Sequence, residues 1–241
     1  MKKISIPLLV LVVLALCAIS STLHTSAAPE PLLANQPVSE YKARRQRLTE
    51  QLKDGVVVLG GAHESDFGEV GRFRQNNDFQ YLTGVETPNA ALVLVPKGVN
   101  GAKEFLFIPA RNLGQERWTG PQIGPGAEAE AAFNFERVLP TSEFPKFIKQ
   151  LAATEKIFHT LTVNPKDTTR ARDHLFAGQL RALVGEGADV RNVANQIARL
   201  RQTKSAPEVA MLQKAIDATG DAHAGVIRTL RPGLFEYEVD A

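Results

Sequence analysis

Gly55-Val56-Val57-Val58-Leu59-Gly60-Gly61 is an aliphatic, mostly β-branched run closed at both ends by glycine. With no polar residue at either phase of a period of two, it predicts a strand buried on both faces. Such a strand belongs inside a sheet that is covered on both sides. Downstream, Ala91 to Val95 and Glu104 to Ile108 read as two more strands, joined by Pro96-Lys97-Gly98-Val99-Asn100-Gly101. The short gap predicts an antiparallel hairpin. Between these and the first run, Asp78-Phe79-Gln80-Tyr81-Leu82 reads as a strand ended by Thr83-Gly84, with Phe79 and Tyr81 on one face.

Helices surround these strands. Ser39 is placed to cap a helix reaching Lys53, with Tyr41, Leu48 and Leu52 on one side. Its basic cluster, Lys42, Arg44, Arg45 and Arg47, reads as a solvated face. Arg111 to Trp118 is compatible with a helix, and Gly120 to Gly126 is a Gly/Pro loop. A short helix over Ala127 to Phe133, a strand at Arg137 to Leu139 and a helix over Ser142 to Ala153 follow. Next come a strand over Lys156 to Leu161 and a long helix from Thr168 to Val184, stopped by Gly185 and Gly187. Val190-Arg191 is placed to add an edge strand. Hairpins and crossovers together predict an α/β domain over 38–191, built on a mixed β-sheet flanked by helices.

The remainder differs in character. Asn192 to Leu200 reads as a linker helix within 192–204. Ser205-Ala206-Pro207-Glu208 is a capping box with proline in the first turn. Val209, Leu212, Ile216, Thr219, Val226 and Leu230 then follow along one side, predicting a helix from Ala206 to Leu230. Arg231-Pro232-Gly233 breaks it, and Leu234 to Ala241 reads as the opening turn of another. The expectation is that 205–241 begins a second domain that continues past the sequence in hand.

The opening residues carry a separate message. Lys2 and Lys3 precede an apolar run from Ile4 to Ile19, and Thr25-Ser26-Ala27 supplies small residues before Ala28-Pro29. That order is the one a secretory signal peptide uses, so 1–27 is expected to be a leader, and the protein exported to the periplasm or the exterior. The apolar run falls short of the roughly 20 residues a spanning helix needs, which argues against a stable membrane anchor. Residues 28–37, with three prolines, read as a flexible mature terminus. Cys17, the single cysteine, lies in the leader, so disulfides and thiolate chemistry are not expected beyond it. The chain has 28 Lys and Arg against 26 Asp and Glu. With Lys2 and Lys3 removed the balance is neutral, which gives no electrostatic case for nucleic acid as a partner.

Motifs for common chemistries are absent from the sequence: no H-E-x-x-H, no G-x-S-x-G, no phosphate-binding loop and no Cys/His cluster. His63-Glu64-Ser65-Asp66 reads as a polar loop, because adjacent side chains on an extended segment point apart. Asp217 and Asp221 share a helical face, but His223 lies roughly 200° round the axis from Asp221 and points away from both. The three therefore do not form a metal site. His159 is expected on a strand and His174 on a helix surface.

Two further segments carry a resemblance. Arg74-Gln75-Asn76-Asn77-Asp78-Phe79-Gln80-Tyr81-Leu82-Thr83-Gly84, with Pro88 and the strand from Ala91 to Val95, is similar to a run in the N-terminal domain of aminopeptidase P. Leu200-Arg201-Gln202-Thr203-Lys204-Ser205-Ala206-Pro207-Glu208-Val209, with Ala215 and Arg231 to Glu236, resembles the entry to the catalytic domain of the same creatinase, prolidase and Xaa-Pro aminopeptidase family. The resemblance covers Val38 to Ala241. It implies an aminopeptidase P N-terminal domain followed by the first helix of an incomplete pita-bread domain. It also implies a hydrolase that removes the N-terminal residue preceding proline, using two divalent cations, commonly manganese. In the family's order, the two Asp, one His and two Glu that hold those cations lie after Ala241, so no catalytic or metal-binding residue carries over to this chain. This chain alone is therefore expected to be inactive.

Arg111-Asn112-Leu113-Gly114-Gln115-Glu116-Arg117-Trp118 resembles a family segment whose tryptophan, in oligomeric members, projects towards a neighbouring subunit's active site. The resemblance thus implies a homo-oligomer, with Trp118 and Arg111 close to substrate in trans. The other reading of Trp118 is a partly buried residue of the domain surface. Two further functions remain open beside the first. One is a non-catalytic binding or oligomerisation module derived from the family, and the other a prolidase-like dipeptidase.

Overall fold

Val56, Val57, Val58 and Leu59 are all buried, because their strand is fourth of six in a sheet that carries helices on both faces. The computed structural model describes residues 31–52, 54–63, 73–162 and 171–240. The leader-like segment 1–27, the tripeptide Glu64 to Asp66 and the expected helix start at Thr168 lie outside the described residues.

A small hairpin comes first, β1 (Leu32–Leu33) and β2 (Gln36–Pro37), followed by α1 (Val38–Gln51) and β3 (Val56–Gly60). Then come α2 (Asn77–Thr83), β4 (Ala91–Val99), β5 (Ala102–Ile108), α3 (Glu116–Thr119), α4 (Ala127–Phe133) and β6 (Arg137–Pro140). A 3-10 turn at Thr141–Glu143 leads into α5 (Phe144–Thr154), β7 (Ile157–Thr160), α6 (Ala171–Val184) and β8 (Asp189–Asn192). The chain continues with α7 (Ala194–Gln202), α8 (Ala206–Thr229) and α9 (Glu236–Asp240).

The large sheet runs β6-β5-β4-β3-β7-β8. Its centre is antiparallel, β3 to β4 and β4 to β5, while β6 and the pair β7 and β8 join in parallel. The sheet is therefore mixed, as expected. Alternation splits the core into two layers. Val57, Leu59, Leu92, Leu94, Leu106 and Ile108 face Leu48 of α1, Phe79 and Leu82 of α2, Phe133 of α4 and Ile197 of α7. Val56, Val58, Val93, Phe105 and Phe107 face Phe144, Ile148 and Leu151 of α5 and Leu180 of α6. A side chain on Gly60 would strike the Phe176 ring of α6 at 2.5 Å, so the glycine lets that helix lie flat on the strand.

Five expectations need correction. Asp78 to Leu82 is the helix α2, not a strand. Asn76 accepts from the Asp78 N–H at its start, and Gly84 closes it in the left-handed conformation (φ 68°). With both ends capped, Phe79 and Leu82 share the buried face at a spacing of three. The β4–β5 strands extend through the expected loop, because Asn100 and Gly101, both at positive φ, suffice to turn the chain. The terminus before α1 is not loose over its described part. Leu33 pairs with Gln36, the Tyr41 hydroxyl donates to the Leu33 carbonyl at 2.9 Å, and Gln36 accepts from Arg44. The helix there begins one residue before Ser39, after Pro37, with no side-chain cap.

The fifth correction concerns the basic cluster of α1. Arg44 and Arg45 are 2% and 0% exposed. They fall between Tyr41 and Leu48 at helical spacing, so they point inward with them. Arg45 donates twice to the Glu104 carboxylate (2.8 and 2.9 Å), and to the Leu82 and Asn134 carbonyls at 3.1 and 2.7 Å. Its guanidinium also lies 3.8 Å from the centre of the Phe135 ring. Burial pulls the Arg45 pKa below its ordinary value, and Glu104 pushes it back up. One buried cation thus ties α1 to β5, α2 and the segment after α4.

Candidate functional site

The residues singled out for substrate proximity sit on the segment between β5 and α4. Only its last turn is helical, α3, and not the whole of Arg111 to Trp118. Before it, the Asn112 side chain accepts from the Gly114 and Gln115 N–H groups, folding the chain into a turn. Arg111 grips Glu116 with two parallel bonds, Nε to Oε1 and Nη2 to Oε2, both 2.8 Å. The hydrogen bond from Arg111 holds the Glu116 carboxyl below the usual carboxylate range. The same bond raises the pKa of Arg111. A side chain at Gly124 would meet Arg111 Cγ at 2.8 Å, so the loop closes against the arginine stem.

The clasp steadies α3, and α3 presents Trp118 outward. Trp118 is 90% exposed and Leu113 70% exposed. The partly buried reading of the tryptophan is therefore not what this chain adopts. Arg111 and Trp118 sit on one segment but serve it differently. Arg111 is engaged with Glu116, and Trp118 offers an open aromatic surface.

A second constellation, missed from the sequence, lies where α1, α2 and α8 meet. Arg44 donates to the Tyr81 carbonyl (3.0 Å) and to Glu40 (3.3 Å), and lies 3.4 Å from a Glu208 oxygen. Its guanidinium is 4.4 Å from the centre of the Tyr81 ring and 5.0 Å from that of Tyr41. Burial raises the pKa of both tyrosines, and Arg44 works against that rise. Nearby, Arg201 reaches Asp78 at 2.6 Å. The signal that could have revealed this cluster was the position of Arg44 on the face defined by Tyr41, Leu48 and Leu52.

The other polar candidates stay apart. His63 meets Asn89, and His159 of β7 faces the Asp54 carbonyl at 3.0 Å. Asp217 accepts from Gln213 on exposed α8, where Asp221 and His223 are also exposed. His174 lies within α6. Among the described residues no group of three His, Cys, Asp or Glu converges to hold a metal ion. Among the described residues no helix is long and apolar enough to cross a membrane.

Comparison with known proteins gives a consistent answer. The family described as "Aminopeptidase P, N-terminal domain" matches residues 41–159. The chain is 32% identical over 219 residues to Xaa-Pro aminopeptidase of Escherichia coli K12, covering 83% of this chain and 47% of that protein. It is 27% identical over 226 residues to the Haemophilus influenzae enzyme, covering 87% and 47%. Among solved structures, a variant of Escherichia coli aminopeptidase P superposes with a TM-score of 0.73 at 26% identity, over 86% of this chain and 48% of that one. Pseudomonas aeruginosa aminopeptidase PepP gives 0.71 at 26% identity, over 87% and 48%. The chain spans about half the length of the relatives it matches. Sheet, flanking helices and sequence together place this chain in the aminopeptidase P family, as a carrier of its N-terminal domain.

Proposed function

We propose that this chain is the N-terminal portion of an exported metalloaminopeptidase that removes the residue preceding proline from the N-terminus of peptides. The observation that carries the proposal is the extent of similarity to the Xaa-Pro aminopeptidase of Escherichia coli. It covers 83% of this chain but only 47% of the Escherichia coli enzyme. Helix α8 fits the role of first helix in a following domain. Its start is firmly capped by Ser205 and Glu208, yet Val209, Leu212 and Ile216 are 54%, 52% and 62% exposed. An apolar stripe of that size favours cover by further polypeptide.

On this reading the two divalent cations, manganese in the proposal, belong to polypeptide after Ala241. The 241 residues alone do not hydrolyse peptides. The leader-like residues 1–27 support export. Trp118, held outward by the Arg111–Glu116 clasp, suits a role against a proline ring at a neighbouring subunit's site in a homo-oligomer. The alternative, a non-catalytic module of the same family, predicts different genetics. The coding sequence after codon 241 tests the choice. The proposal expects an open frame encoding two Asp, one His and two Glu as ligands, whereas an immediate stop codon would favour the module.

A further inference from the structure

We propose that Arg44 and Glu208 form a joint that sets the direction in which α8 leaves the sheet domain. The carboxylate of Glu208 divides its two oxygens between two tasks. Oε2 accepts the Ser205 N–H at 2.9 Å and so completes the capping box, while Oε1 faces Arg44 Nη2 at 3.4 Å. The group that fixes where the helix begins is thus the group that ties it to the domain.

Arg44 is a fixed point and not a mobile surface arm. It is 2% exposed, and the Tyr81 carbonyl, Glu40, Gln36 and the rings of Tyr41 and Tyr81 all hold it. Tyr41 is in turn bound to the Leu33 carbonyl. The approach to the joint is pinned as well. Arg201, at the end of α7, reaches Asp78, and the Lys204 ammonium donates to the Arg201 and Gln202 carbonyls at 2.8 and 3.1 Å. One more polar contact supports the base of α8, from the Gln36 amide to the Met211 sulfur at 3.8 Å.

Past that first stretch the helix has little to rest on, and no residue of α8 is buried. Its 24 residues make a lever about 36 Å long. Angular play of about 10° at the base would sweep the far end through about 6 Å. The function of the pair, resting on the reading above, is to orient the polypeptide beyond α8 relative to the sheet domain and its Trp118 segment. Glu208 and Arg44 are positioning residues and need not touch substrate.

The test uses pulsed electron–electron distance measurement on the full chain, in a Cys17→Ser background. Spin labels go on Lys149→Cys of α5 and Asp221→Cys of α8, both exposed sites. The unaltered joint should give one narrow distance distribution. Glu208→Gln keeps an acceptor for the cap but loses the charge, and should widen the distribution by several ångström without loss of helix by circular dichroism. Ser205→Ala weakens the cap and keeps the ion pair. It should speed amide exchange in the first turn and leave the width unchanged. An unchanged width in Glu208→Gln would overturn the joint, as would equal widening by Ser205→Ala. Arg44→Met can unfold the domain, and for that reason the test rests on Glu208, which lies nearer the surface. No turnover is measured, so the joint stands or falls separately from the peptidase reading.

Discussion

Ile148 and Ile216 belong to helices of similar pattern in sequence, and their surroundings could hardly differ more. Ile148 of α5 is fully buried against Phe107 and its neighbours on the sheet, while Ile216 of α8 is 62% exposed. Apolar periodicity names the face of a helix that wants cover, but it does not say which surface supplies the cover. In the sheet domain the partner is a strand within the same fold. For α8, Glu208 and Met211 near its start meet Arg44 and Gln36, and no residue of the helix is buried.

The largest effect that could break this contrast comes from the buried ion pair. Glu104→Ala leaves Arg45 buried without its carboxylate, and should cost about 3–5 kcal/mol in denaturant unfolding. A loss under about 1 kcal/mol would mean that water reaches Arg45 and the sheet domain is less closed than its burial implies. The isoleucine pair sharpens the comparison directly. Ile148→Ala should cost about 2–5 kcal/mol, and Ile216→Ala should stay within about 0.5 kcal/mol in the same measurement. Equal losses would place Ile216 in a packed interface.

The smallest effect concerns the segment that carries Trp118. Because Arg111 holds Glu116 below its ordinary pKa, the clasp contributes fully above the ordinary glutamate range, about 4.3. It is lost as pH falls through the lower folded value. Fluorescence of Trp118, the single tryptophan, should therefore change at a pH below that range, and Arg111→Gln should move the change upward. A transition unmoved by Arg111→Gln would show that the clasp does not steady α3.

The sheet was legible because its strands are apolar at both phases of the pleat, as Val56 to Leu59 show. The capping box was legible because Ser205 and Glu208 stand three apart with proline between them. Asp78 to Leu82 misled, since a five-residue apolar-polar alternation also fits one and a half turns of helix. The end caps at Asn76 and Gly84 decide between the two. Arg44 and Arg45 misled in another way. Their charge argued for solvent, while their spacing from Tyr41 and Leu48 argued for the interior. The spacing prevailed because Glu104, Tyr81 and Phe135, distant in sequence, were there to receive them. For Trp118 the sequence supplied a resemblance, but neither its 90% exposure nor the neighbouring Arg111–Glu116 clasp was revealed by spacing.

The decisive experiment is a peptidase assay on the purified 241-residue chain, with manganese and a peptide bearing proline at its second position. No N-terminal amino acid should be released at any manganese concentration. Manganese-dependent release would overturn the division between scaffold and cation site, because the residues for the chemistry would then lie within the scaffold itself.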